Sequence, residues 1–266
     1  MIIFLQTCVV AIIGSACAYA VGVPAPFLTG PASFVSVLSL LGLKTDIPDR
    51  LRDAVFLVIG LVLGTSVTQK TLSEAGTWPV SLVMMCISVA LIMVLGAKMI
   101  SRFLDMDRRS ALLAASPGHL SFVLGFSTDI GANTALISVI QSMRLLILTL
   151  LVPFAVALLT DADLSKANVA GQLISPLNFA ILAVLAGITG FGMLKIKVPA
   201  AYLIGAMLVS SLGHGSGLTP GEMPFWLTAL AFTIMGALIG TRFSGVSLHT
   251  LRQAAVAGVG ITLLGM

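Results

Sequence analysis

Apolar residues fall in long unbroken runs, at about 1–21, 26–43, 53–69, 78–100, 110–127, 131–159, 172–194, 198–212, 224–241 and 250–266. A spanning helix takes about 20 mostly apolar residues, whereas the strands of a membrane barrel alternate apolar and polar positions. The pattern therefore predicts a chain of membrane helices. Three runs, 26–43, 110–127 and 198–212, are marginal. The final run is short for another reason: only 14 residues separate Arg252 from Met266, too few to cross.

The runs repeat. Val23-Pro24-Ala25-x-Phe27-Leu28-x-Gly30 returns as Val198-Pro199-Ala200-x-Tyr202-Leu203-x-Gly205, 175 residues later, and Gly42-Leu43 returns as Gly217-Leu218 at the same spacing. Gly60-x-x-x-Gly64-Thr65 returns as Gly236-x-x-x-Gly240-Thr241 after a slip of one residue. Matches at one spacing and in one order read as a tandem duplication. The expected units are 1–160, a first membrane repeat, and 171–266, a second and incomplete one. The counterpart of residues 91–160 is missing from the second unit, so the sequence is expected to be part of a longer protein.

Composition narrows the class further. Of 266 residues 58% are hydrophobic and 9% charged, and the mean hydropathy is +1.11. A soluble domain carries roughly 25% charged residues, so soluble, disordered and nucleic-acid-binding readings are excluded. Cys8, Cys17 and Cys86 sit inside apolar runs without CxxC spacing and read as small apolar residues rather than a redox or zinc site. Met1-Ile2-Ile3-Phe4 lacks a positive n-region and opens a first membrane helix rather than a cleaved signal.

The few charges carry topology. Lys and Arg in short loops favour the cytoplasmic side. Loop 44–52 holds Lys44, Arg50 and Arg52, but its counterpart 213–223 holds none. Loop 22–25 is bare, and its counterpart holds Lys195 and Lys197. Lys70 alone stands against Arg242 and Arg252. Equivalent loops have exchanged their bias, which predicts two units inverted relative to one another. Inversion needs an odd number of crossings per unit, so one of six runs is expected not to cross. The choice falls on 110–127, which is broken at Ser116-Pro117-Gly118-His119; 26–43 is the second candidate. The first choice puts eleven Lys and Arg on one face against Lys70 and Lys166 on the other, with the N-terminus cytoplasmic.

One cation escapes the loops. Arg144 lies near the middle of 131–159, where a charge costs about 2.5–3.5 kcal/mol on insertion scales and persists when it faces a cavity or partner. Gln141 and Ser138, three and six residues earlier, share its helical face. Two roles are open: a ligand for an anion or carboxylate in a translocation path, or a clamp on the carbonyls of a broken helix. The break itself offers unpaired backbone groups and half-helix dipoles at a substrate site, or is a simple proline kink. His119 is either a proton relay or a hydrogen-bonded ring held in place. Asp129, Asn133 and Thr134 lie in the link that follows, and a turn acid capping the next helix is expected there. Gly60, Gly64, Gly236 and Gly240 are expected to be helix-packing positions. His119, His214 and His249 are 95 and 35 residues apart, without metal-ligand spacing, so neither a metal, a cofactor nor a catalytic residue is expected.

The stretch Ala115-Ser116-Pro117-Gly118-His119-Leu120-Ser121, then Gly131-Ala132-Asn133, then Gln141-Ser142-Met143-Arg144 and the closing Pro153 resembles the AbrB membrane family. Its repeats are similar in carrying Pro-Gly-Gly-Leu-Ser, Gly-Ala-x and Gln-x-x-Arg elements. His119 here replaces the second Gly, and Asp129 is what remains of the acidic residues expected between the motifs. The resemblance implies proximity to inverted-repeat transporters with crossed broken helices. It also brings two family labels, ammonia monooxygenase and regulation of gene expression.

The sequence thus predicts an all-α polytopic membrane protein, with inverted tandem repeats and broken or re-entrant helices, in a bacterial inner membrane. The preferred function is a secondary transporter for a small, anionic solute, with Ser116, Pro117, Gly118, His119, Asn133, Gln141 and Arg144 at its site. A membrane-embedded regulator of gene expression is the alternative, and the monooxygenase comes last. Its partners are the lipid bilayer and the solute, without nucleic acid; self-association into a homo-oligomer is left open.

Overall fold

The computed structural model describes residues 2–118, 120–129, 131–160 and 172–265. It is all-α. In chain order the helices are α1 (Ile2–Val21), α2 (Pro26–Leu40), α3 (Asp49–Thr65), α4 (Gln69–Glu74), a 3-10 turn at Ala75–Thr77, and α5 (Pro79–Leu104). Next come α6 (Arg108–Ala115), α7 (Leu120–Asp129), α8 (Thr134–Thr160), α9 (Pro176–Lys195), α10 (Ala201–Gly215), α11 (Phe225–Thr241) and α12 (Leu248–Gly265). Among the described residues the one β-type contact is a bridge between Leu173 and Glu222.

Local chemistry sets many of the ends. Pro opens α2, α5 and α9, where its missing N–H costs nothing. Ser175 caps α9 by accepting the Asn178 N–H, and Asp107 caps α6 by accepting the N–H groups of Arg109 and Ser110. Four helices, α1, α5, α8 and α9, are long and apolar enough to cross a membrane, and α2, α10 and α11 are shorter apolar helices. Large hydrophobics such as Val80, Met84, Ile87 and Leu91 on α5 point outward. So much contiguous apolar surface fits lipid rather than water.

The predicted run 110–127 is two helices rather than one. At 1.5 Å per residue, α6 is about 12 Å long and α7 about 15 Å, so neither alone spans the roughly 30 Å hydrocarbon layer. Pro117 brings no N–H and disfavours helical backbone at Ser116, which is extended at ψ 133°. The interval between α3 and α5, read as a bare Lys70 loop, carries α4 and the 3-10 turn. The final run begins at Leu248, so Arg252 lies on α12 instead of preceding it.

Packing is reciprocal. α3 lies on α10 and α11 on α2; α1 lies on α2 and α9 on α10; α3 meets α11, and α5 meets α12. Glycines make the two main contacts close. A Cβ at Gly60 would strike the Leu203 carbonyl, and one at Gly236 would strike the Leu28 carbonyl. Gly64 faces Ser210, and Gly240 faces Val35. Leu203 and Leu28, and Ser210 and Val35, are each 175 apart, the spacing of the sequence matches. Ala25 and Ala200 share another feature: both take left-handed backbone, at φ 49° and 51°, just before α2 and α10. That conformation is costly for a residue with a Cβ, so the shared spacing extends to a shared strain. α6 packs separately, in a core with α5, α8 and α12 through Ala97, Ile100, Ala111, Ala114, Ile137 and Ala254.

Candidate functional site

The α6 helix ends inside this second core, and the last four carbonyls of any helix lack intrahelical partners. Three side-chain donors from α8 reach them. Gln141 Nε2 donates to the Leu113 carbonyl at 2.8 Å. Arg144 donates through one terminal nitrogen to the Ala115 carbonyl at 3.0 Å and through the other to the Ser116 carbonyl at 3.3 Å. The C-terminal end of a helix carries a partial negative charge, so a guanidinium there is favoured twice, by hydrogen bonding and by the dipole. Gln141 and Arg144 are three residues apart on α8, so one helical face delivers both.

Among the described residues, two bonds leave three of the five guanidinium N–H groups of Arg144 without a partner. Arg144 borders a cavity of about 240 Å3, which Gly118, Gln141 and Ser142 also line. Ser142 is 3% exposed, and its Oγ has no protein partner among the described residues. Phe56 from α3 and Leu238 from α11 form apolar wall. Arg242, directly after α11, completes the lining; it is exposed and marks the open side, whereas Arg144 is half-buried. Arg52 and Asp49 lie close enough to act on Arg242 electrostatically, with opposite signs. Arg52 is itself held by Asp49 at 2.7 Å and Asp53 at 3.0 Å.

Of the residues expected at a site, Ser116, Gly118, Gln141 and Arg144 come together at the α6 end. Pro117 lies between two of them in the chain, and His119 lies outside the described residues. Asn133 goes elsewhere: it is exposed and accepts the Leu136 N–H at 3.1 Å, capping α8. The turn acid expected in that role, Asp129, is exposed at the end of α7 instead. An amide at the residue just before the helix reaches the third N–H, whereas Asp129 lies a turn too early. Ser138 makes no side-chain hydrogen bond with the described residues.

Sequence reasoning placed Arg242 with the loop cations and missed its place on the cavity. Its repeat counterpart is Ser66, 176 residues earlier, so the substitution of a cation for a hydroxyl was the available signal. His214 was also passed over. It is 8% exposed, with Nδ1 2.9 Å from the Ser210 carbonyl and Nε2 3.1 Å from the Gly221 carbonyl. It borders a second, larger cavity of about 790 Å3 with Gln69, Lys70 and Glu222. Among the described residues no three His, Cys, Asp or Glu side chains gather as a metal site would require.

A family model described as "Transition state regulatory protein AbrB" matches residues 27–266. The Bacillus subtilis (strain 168) protein named "Uncharacterized protein YhjN" is 28% identical over 212 residues, covering 72% of this chain and 55% of that protein. The Escherichia coli (strain K12) protein named "Putative regulator AbrB" is 23% identical over 242 residues, covering 89% of this chain and 68% of that protein. The chain thus spans about half the length of the first relative and two thirds of the second. No solved structure matches it.

Proposed function

The chain belongs to the AbrB family, and from that premise we propose that it is a secondary-transporter-like membrane protein for a small anionic solute. The observation that carries the reading is the cavity at the α6 break, where, among the described residues, Arg144 keeps three N–H groups beyond those that hold the α6 carbonyls. A binding site for an anion needs donors already in place and a concave, largely apolar wall around them. At about 240 Å3 the cavity is below the size range of drug-like ligands, so the solute is small. Broken helices at the midplane are how many secondary transporters present backbone groups and charge to a solute.

The reading includes units inverted in the membrane, with the N-terminus cytoplasmic. Charge exchange between equivalent loops and the reciprocal contacts of α2 with α11 and of α3 with α10 support it. It assigns no catalytic residue, cofactor or metal. Uptake by the complete protein in proteoliposomes tests it, with a panel of labelled small organic and inorganic anions. Wild type is expected to carry at least one of them, and Arg144→Ala to reduce that flux about tenfold or more. Equal flux in Arg144→Ala removes the site assignment.

A second reading has one specific support, the word "regulator" in the name of the Escherichia coli relative. It makes this chain a membrane-embedded regulator of gene expression without transport. A deletion strain with altered transcripts and no change in any solute flux would favour it over the first.

A further inference from the structure

We propose that the cavity takes a small dianion of the dicarboxylate class, held between Arg144 and Arg242. The proposal rests on the anion reading above and adds to it a second cationic ligand and a charge.

Both arginines line the same cavity, and no Asp or Glu does so among the described residues. The acids at the start of α3 are paired with Arg52. Asp49 and Asp53 both contact Arg52, at 2.7 and 3.0 Å, and neither is ion-paired with Arg242. The wall therefore presents two positive charges and no carboxylate among the described residues, with Asp49 acting on Arg242 from beyond ion-pair distance. Charges beside apolar walls are stabilised by an anion that hydrogen-bonds them, and guanidinium forks match carboxylates in shape. A monoanion balances one of the two charges, and a dianion balances both.

The space between supports the same class. Met235, Leu238, Ile239 and Arg242 recur at i, i+3, i+4 and i+7, so the α11 wall is one apolar stripe that ends in a cation. From Met235 to Arg242 it runs about 10 Å at 1.5 Å per residue. Phe56 and Leu145 face the same volume. Hydrocarbon walls between polar groups suit a short carbon chain with an acid at each end. Ser142 Oγ, buried and without a protein partner, adds one hydroxyl for a carboxylate oxygen. At the repeat counterpart of Arg242 stands Ser66, so this second charge belongs to one unit alone.

Calorimetric titration of the complete protein in detergent tests this, with malonate, succinate and glutarate against acetate, propionate and butyrate. Neutral pH keeps both carboxyls ionised. The expected result is a dicarboxylate bound about tenfold or more tightly than any monocarboxylate, which is one charge-assisted contact. Arg242→Gln, at the exposed mouth, is expected to unfold as wild type does and to lose that preference while keeping monocarboxylate affinity. Arg242→Lys is expected to restore part of it. Equal affinity for both classes in wild type, or an intact preference in Arg242→Gln, overturns the two-arginine site and leaves the anion reading standing. Absence of binding by all six also overturns it, and the anion reading is then judged by the Arg144-dependent uptake of other anions.

Discussion

Two regions of this molecule are held together by different means. The bundle of α1–α3 with α9–α11 is built from backbone approach: Gly60 and Gly64 admit α10, and Gly236 and Gly240 admit α2. Each of these glycine contacts has a twin. In the α6–α8 region an apolar core is joined by polar side chains, Gln141 and Arg144, that close the end of an interrupted helix. Where glycines bring two backbones together, no space is left between the helices. At the broken helix, the guanidinium of Arg144 leaves a cavity beside it and, among the described residues, spare donors. On the proposed reading the glycine-packed bundle is the scaffold, and the closed helix break is where a solute is recognised.

That contrast can be broken by mutation. The largest expected effect is on the scaffold. Gly60→Val and Gly236→Val force side chains against a facing backbone carbonyl, and each should cost about 3 kcal/mol. Denaturant titration in detergent should give values that agree for the two sites; tolerance of one alone would end the twin relation. Arg144→Ala comes next, at about 2 kcal/mol, because it strips charged donors from the Ala115 and Ser116 carbonyls. Gln141→Leu removes one neutral bond, to Leu113, and should cost about 1 kcal/mol on the same assay. The smallest effect has the opposite sign. Ala25→Gly and Ala200→Gly relieve left-handed strain and should each stabilise by about 0.5 kcal/mol, the remainder being lost to chain entropy. A destabilising result at either alanine would show that its side chain matters more than its backbone.

Much of the scaffold was legible in the sequence. The ten apolar runs correspond to α1, α2, α3, α5, the α6–α7 pair, α8, α9, α10, α11 and α12, because bilayer thickness imposes a length that hydropathy records. Gly-x-x-x-Gly spacing pointed to the contact faces for the same reason: small residues one turn apart form a groove. The break at 116–118 was legible because Pro117 acts on its own neighbours. What was not legible depends on distance in the chain. That Arg144 reaches carbonyls 28 and 29 residues away follows from how α8 crosses α6, which no local pattern encodes. Arg242 read as a loop cation because it directly follows a helix end, and its cavity exists only once α3, α8 and α11 meet. Asn133 against Asp129 was a question of one helical turn. α4 escaped notice because six residues between polar neighbours carry no apolar run.

The central claim is that the cavity beside the α6 break is open to water and takes an anion. One measurement reaches it directly. A single cysteine at Gly118, in the complete protein with Cys8, Cys17 and Cys86 replaced by Ala, is exposed to a membrane-impermeant thiol reagent in oriented vesicles. Gly118 has room for it, since an added Cβ would meet Val123 only at an ordinary 3.6 Å. The account predicts labelling that slows when a bound anion is present and that loses this protection in Arg144→Ala. A cysteine at position 118 that stays unlabelled from both faces, or that labels at the same rate with and without every anion tried, would contradict it.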